Sequence, residues 1–373
     1  MGKKTLWAQL TIFLGFIALF FVLNLIKPDV EFSDRENRYL QQRPEFSFDS
    51  LFSGKFTTDF ETYVTDQFTL RDSWTTLKAR CELLIGKQAN KGVYLCDNET
   101  LIEGLKTPAQ DKLDANTDAL NALVEKAGVP VYFSLVPGKS EILSGLLPKN
   151  APNYDGREMI KYCYGRSNAV NVDLLSPLSE HAQDYIYYRT DHHWTSLGAY
   201  YAYAALMASM GRDAAPLESY SPVTVSDEFF GTTYSSSGFS WIAPDSIQTF
   251  VDPPEGLSIL NYPQGTPVDG KLYDFDFLEK KDKYSMFLGG NSPLQQISTG
   301  TPDAPSLLVI RDSYTDSLAP FLLKDFSEVH LIDLRYYRAS LTQYIEENDI
   351  DVVLVCYALT SFSTDANLFL LGR

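Results

Sequence analysis

Polar and apolar positions divide this chain into one long apolar block followed by segments of helical and strand period. Lys3 and Lys4 precede a run from Leu6 to Ile26 that only Gln9, Thr11, Gly15 and Asn24 interrupt, long enough to cross a bilayer as a helix. The residues after Phe20 offer no small-x-small cleavage site, which favours an uncleaved anchor over a signal peptide. Lysines before the span and Asp29, Glu31 and Asp34 behind it predict a cytoplasmic N-terminus and a body outside the cell. Residues 1–27 are therefore expected to form the anchor, residues 28–45 a polar stalk and residues 46–373 the main body.

Phe56, Phe60, Tyr63, Phe68, Leu70, Trp74, Leu77 and Leu84 recur at mostly helical spacing and predict a helical region over 46–85. Thr107-Pro108 and Gly128 mark the start and stop of a further helix. Val129–Val136 is a continuous β-rich run, and Ala169–Val172 and Tyr185–Tyr188 are shorter strand candidates. A helix follows near Ser196–Met210, with Thr195 as cap and Gly211 as terminator. Residues 212–285 lose this order and read as an irregular or β-rich insertion. Ser306–Ile310, a helix through Leu318 and Leu323, Val329–Ile332, a helix around Leu341–Glu347 and Asp351–Tyr357 restore it. Alternating strands and helices predict an α/β fold, a mainly parallel sheet sandwiched by helices.

At 373 residues the chain has room for one to two domains. A net charge of −17 and the lack of a basic cluster exclude nucleic-acid binding, which needs cations to displace phosphate counterions. Of Cys81, Cys96, Cys163 and Cys356, the last sits in an apolar strand and is expected as a free thiol, leaving Cys81 with Cys96 as the plausible bridge. Four histidines without C-x-x-C spacing argue against zinc, and neither a metal nor a cofactor is expected.

Candidate chemistry lies in Asp191-His192-His193-Trp194 and in Ser313, on a strand-to-helix turn. A serine hydroxyl needs an imidazole to take its proton and a carboxylate to hold that imidazole in the productive tautomer. On extended backbone Asp191 and His193 share a side and His192 diverges, which disfavours a metal site made from all three. Ser313 is the nucleophile, His193 the base and Asp191 the orienting acid of this reading. The Ser313 N–H, Gly290 and Asn291 are candidate oxyanion donors. Asp312, His192 and Trp194 are placed behind them, with Asp312 bracing the turn. Among the insertion aromatics Phe229, Phe230, Tyr234, Phe239 and Trp241, the last two are the candidate glycan contacts.

Asp191-His192-His193-Trp194 matches the signature of the bacterial DHHW family and is similar to the Asp-x-His-Trp element of the alginate O-acetylation proteins. Arg311-Asp312-Ser313-Tyr314 resembles their Gly-Asp-Ser-Phe-type segment, and Phe60 to Arg71 resembles their opening stretch. The resemblance implies an SGNH-hydrolase-like enzyme and a membrane-bound O-acyltransferase partner that supplies acetyl groups. Three functions follow: O-acetyl transfer to an extracellular polysaccharide through an acetyl-serine, carbohydrate ester hydrolysis by the same residues, or a non-catalytic glycan-binding scaffold.

Overall fold

The computed structural model describes residues 2–301 and 303–373, which divide into two compact units. One comprises the chain up to Lys91 with Gly238–Ser240, and the other Gly92–Ser237 with Trp241–Arg373.

The first unit carries α1 (Lys3–Ile26), α2 (Lys55–Asp66) and α3 (Arg71–Leu84). No residue of α1 is buried, as its composition requires if lipid rather than protein covers it. Its polar interruption Asn24 accepts hydrogen bonds from the Thr69 N–H and hydroxyl at 2.7 and 2.9 Å. Phe20 stacks on Phe68 at 5.8 Å beside them. The segment read as a stalk lies against the helices: Arg38 grips both oxygens of Asp66 at 2.9 and 2.5 Å, and Arg71 pairs with Glu36 at 2.8 Å.

The second unit is a mixed α/β fold. Its main strands are β1 (Val131–Val136), β2 (Val170–Asn171), β3 (Ser258–Asn261), β4 (Val268–Asp269), β5 (Leu294–Ser298), β6 (Ser306–Arg311), β7 (Glu328–Ile332) and β8 (Val352–Ala358). Their helices are α4 (Gln110–Lys126), α5 (Gly156–Arg166), α6 (Ser196–Ser209), α7 (Thr315–Leu322) and α8 (Leu341–Glu347). Strand order is β4-β3-β5-β7-β6-β8-β1-β2. From β7 to β2 neighbours run parallel, whereas β3, β4 and β5 add an antiparallel edge. Side chains of the central strand alternate between two cores: Leu307 and Val309 join one cluster, Leu308 and Ile310 the other. Each such aliphatic side chain contributes about 1.5–3 kcal/mol on burial, so the centre of this sheet is its most firmly held part.

Three expectations need correction. Tyr185–Tyr188 is not a sheet strand, because its backbone bonds go to its own continuation: Thr195 N–H to Ile186 O at 2.9 Å and Tyr188 N–H to His193 O at 3.2 Å. The stretch 212–285 is not wholly an insertion, since β3 and β4 within it extend the sheet; Val223–Phe229 pairs with Asp245–Thr249 as a separate antiparallel ribbon. Cys81 and Cys96 are free thiols belonging to different units, so the expected bridge is not formed.

Candidate active site

Ser313 owes its position to β6 and to Asp312. The all-buried run Ser306–Arg311 ends at the carboxyl edge of the sheet, where Asp312 stops it: one carboxylate oxygen accepts the Tyr314 N–H at 3.1 Å and the other the Ala358 N–H at 2.8 Å. This ties the turn to the end of β8 and launches α7, leaving Ser313 half-buried. Arg311 is fully buried below, paired with Asp316 and donating to Gln295 Oε1 at 2.8 Å.

His193 comes from the tight turn between Tyr187 and Trp194, just before α6, whose cap Thr195 accepts from the Gly198 N–H. Its Nδ1 lies 2.5 Å from Asp191 Oδ1 and its Nε2 2.7 Å from Ser313 Oγ. The structure thus joins Asp191, His193 and Ser313 in one hydrogen-bonded series across 120 residues of chain. Tyr284 stacks on one face of the His193 ring at 3.9 Å and 8°, and His192 covers the other at 3.8 Å and 37°. Trp194 is buried, donating from Nε1 to Tyr314 O and Ser317 Oγ. Tyr284 OH donates to Ser313 O at 3.2 Å, so the same group that flanks the imidazole also holds the serine backbone.

Asp191 is 1% exposed and fully engaged. Oδ1 accepts the His193 N–H as well as Nδ1, and Oδ2 accepts the Thr232 N–H at 2.7 Å and its hydroxyl at 2.9 Å. Burial alone would raise this carboxyl, but the two imidazoles and the His193 hydrogen bonds outweigh it and hold its pKa well below the usual carboxylate range. The turn beneath is set by Asp245, which accepts from the Thr190 N–H and hydroxyl, the Arg189 N–H and the Tyr185 hydroxyl at 2.5–3.1 Å. Lys139 donates to the Tyr188 and Arg189 carbonyls at 3.0 and 3.2 Å. Burial pushes this ammonium down to about 8, against the pull of Asp191, Asp245 and Glu103.

A cavity of about 410 Å³ adjoins this series, with Lys139, Glu141, His192, Thr232, Tyr314 and Thr360 in its wall. His192 does not diverge as the strand reading expected, because the backbone turns here and its ring folds back onto His193. Ligand atoms of Asp191, His192 and His193 consequently lie within 4.8 Å of one another. Both nitrogens of His193 are engaged, however, by Asp191 and Ser313.

Gly290 and Asn291 precede β5, whose Leu294 registers with Ile332 of β7, itself in line with Ile310 of β6; they therefore stand at the Ser313 edge of the sheet. The Gly290 N–H meets Phe287 O at 3.4 Å and the Asn291 amide oxygen accepts from Arg335 at 3.0 Å. Neither hydrogen-bonds to Asp191, His193 or Ser313 among the described residues. Phe239 is fully buried, so it presents no face to a glycan, contrary to expectation; Trp241 is partly exposed.

Thr232, Asp245, Tyr284 and Lys139 escaped sequence reasoning. Their hydrogen-bond partners lie 29–60 residues away. A glycine beside Thr232 was the one local sign, since a Cβ on Gly231 would fall 2.2 Å from the Asp191 Cβ.

Fold and site together define a mixed α/β protein with a serine–histidine–aspartate series at the carboxyl edge of its parallel strands. The profile of the DHHW protein family matches residues 111–332, more than half of the chain, and the chain belongs to that family. It is 26% identical over 180 residues to a probable alginate O-acetylase AlgJ of Pseudomonas syringae pv. tomato, covering 45% of this chain and 46% of that one. The corresponding protein of Pseudomonas putida is 24% identical over 176 residues, 44% of this chain and 46% of that one. The chain thus spans about half the length of the curated relatives it matches. Among solved structures, a DHHW family protein from Eubacterium siraeum superposes with a TM-score of 0.65 at 25% identity, over 75% of this chain and 95% of that one. Bacillus cereus PatB1 shares the fold with a TM-score of 0.63 at 21% identity, over 75% and 98%.

Proposed function

We propose that this chain is a membrane-anchored, extracellular O-acetyltransferase acting on a cell-surface or exported polysaccharide. Residues 1–27 are the anchor, residues 28–45 the stalk and residues 46–373 an SGNH-hydrolase-like catalytic domain. The observation that carries this reading is the series Asp191–His193–Ser313, with hydrogen bonds of 2.5 and 2.7 Å. The names of the alginate O-acetylase relatives supply the substrate class.

In the first half-reaction Ser313 Oγ attacks the carbonyl carbon of an acetyl ester while its proton passes to His193 Nε2. Asp191 holds Nδ1–H and offsets the positive charge of the ring. Negative charge on the carbonyl oxygen is met by the Ser313 N–H, which has no protein acceptor among the described residues, with Gly290 and Asn291 as further donors. Each such donor is worth on the order of 3 kcal/mol of barrier. Collapse breaks the bond to the leaving alcohol, which takes the proton from His193. A sugar hydroxyl then gives its proton to Nε2 and attacks the acetyl-serine, and collapse forms the sugar acetate and releases Ser313, whose Oγ takes the proton back from His193. A membrane-bound O-acyltransferase supplies the acetyl donor.

Incubation with p-nitrophenyl acetate is expected to place one acetyl group on Ser313, read by peptide mass spectrometry. Cells carrying Ser313→Ala or His193→Ala are expected to lose acetylation of the glycan. Normal acetylation in both variants overturns the reading, and release of acetate with no transfer to added oligosaccharide reassigns the chemistry to an esterase.

A further inference from the structure

Of the Asp-His-His-Trp element the acyl-transfer steps use Asp191 and His193; Trp194 is buried with its Nε1 bonded to Tyr314 O and Ser317 Oγ, whereas His192 is partly open and takes no part in them. Its Nδ1 lies 2.6 Å from Thr232 Oγ1, and that hydroxyl lies 2.9 Å from Asp191 Oδ2. A hydroxyl carries one proton, and an ionised carboxylate only accepts, so the Thr232 proton points to Asp191. Thr232 Oγ1 must then accept from His192, which fixes the tautomer: Nδ1 bears the hydrogen and Nε2 is a bare acceptor. Dense surroundings on the protein side, and then the adjacent His193, hold the His192 pKa below the ordinary imidazole value, so the ring is neutral at pH 7. Yet 43% of its side chain is open, and it forms part of the wall of the 410 Å³ cavity. Its backbone is pinned as well, by the Tyr314 hydroxyl on its carbonyl. Among the described residues no protein donor meets its Nε2.

Two imidazoles with centroids 3.8 Å apart thus carry acceptor nitrogens, His192 in the cavity wall and His193, 5% exposed, directly against it. Once Ser313 is acetylated, His193 Nε2 no longer receives the serine hydroxyl and is free to accept a proton from an incoming alcohol. We propose that His192 Nε2 accepts a hydrogen bond from the hydroxyl next to the one being acetylated, so that the cavity selects a sugar bearing free vicinal hydroxyls. This rests on the acyl-transfer reading and deepens it: His193 activates one hydroxyl of the diol and His192 holds its neighbour. An acceptor lacking the second hydroxyl forgoes this hydrogen bond, a loss of about one neutral hydrogen bond relative to an otherwise similar substrate.

The test compares methyl glycosides with their monodeoxy counterparts as acceptors, using p-nitrophenyl acetate as donor. The wild type is expected to favour an intact glycoside over the matching deoxy compound in kcat/KM by about fivefold to tenfold. His192→Phe keeps a ring against His193 and is expected to bring that ratio near one; because it is a ratio, general damage to the site cancels. Retention of the preference in His192→Phe overturns the proposal, as does failure of the wild type to favour any intact glycoside. A binding arm separates this from the acyl-transfer reading. In Ser313→Ala the same glycoside pairs are compared by calorimetry with and without His192→Phe, and the preference is expected to appear only with His192 present. If wild-type Ser313 takes no acetyl group, it is the acyl-transfer reading that falls, and the binding preference alone then decides whether the subsite exists.

Discussion

Lys139 shows how much a single residue can cost at this site and what it does in return. Its buried ammonium holds the carbonyls of Tyr188 and Arg189, immediately ahead of Asp191, with Asp191, Asp245, Glu103 and Cys96 around it. The folded pKa of about 8 lies below the value of about 10.4 for an unfolded lysine. Between those limits the unfolded chain keeps a proton that the folded chain has released, so stability rises with pH, by at most about 1.4 kcal/mol per unit. Denaturant unfolding at pH 8 and 9.5 is expected to show wild type gaining about 1–2 kcal/mol relative to Lys139→Met. An unchanged difference would mean that the ammonium keeps its proton across this range. At Gly231 the constraint is steric: an added Cβ would sit 2.3 Å from Asp191 Oδ2. Gly231→Ala is expected to cost about 1–3 kcal/mol in stability. It should slow Ser313 acetylation by about 100-fold, since displacing a catalytic group by an ångström has that effect. At this scale Asp191 and His193 were legible because their two-residue spacing closes the contact locally. Thr232 and Lys139 were not, because their contacts cross 41 and 49 residues.

Elements were legible where turn chemistry marks both ends. The helix announced by Pro108 and Gly128 runs from Gln110 to Lys126, and Gly128 takes the left-handed conformation, φ +70°, that ends it. Likewise Thr195 caps α6 and Gly211, at φ +68°, follows it. Short strands carried less information. Tyr185–Tyr188 has strand composition but bonds to its own turn, and β3, four residues long, was lost in a stretch without period. What shapes the His193 turn is Asp245, at the start of the ribbon strand Asp245–Thr249. Its carboxylate is 1% exposed and serves donors on Tyr185, Arg189 and Thr190 together. Removing it strands those donors and the Arg189 guanidinium. Asp245→Ala is therefore expected to lose about 3–5 kcal/mol, in line with breaking a buried charged network. Circular dichroism during denaturation measures that loss. A variant as stable as wild type would show that the turn holds by its backbone bonds alone.

For the whole molecule the decisive contrast is between an acidic body and an apolar leading helix. The net charge is −17, while α1 has 24 residues, none of them buried. At about 1.5 Å per residue such a helix reaches about 36 Å, beyond the roughly 30 Å of a bilayer core. Leaving that much apolar surface in water is unfavourable by about 25 cal/mol for every Å², a penalty that lipid removes and that a strongly charged body does not. The acyl-transfer reading places Ser313 on the far side of that membrane, where exported glycan is met. Two outcomes follow if α1 is the anchor. Full-length protein should stay in the membrane pellet through alkaline carbonate extraction, and its mature N-terminus should still include α1. A chain beginning at Pro28 should move to the soluble fraction while still taking an acetyl group on Ser313 from p-nitrophenyl acetate, because no residue of the Asp191–His193–Ser313 series or its partners lies before it. A mature N-terminus found beyond Ile26 would make the apolar run a cleaved leader, and the proposed acyl transfer would then have to take place without a tether.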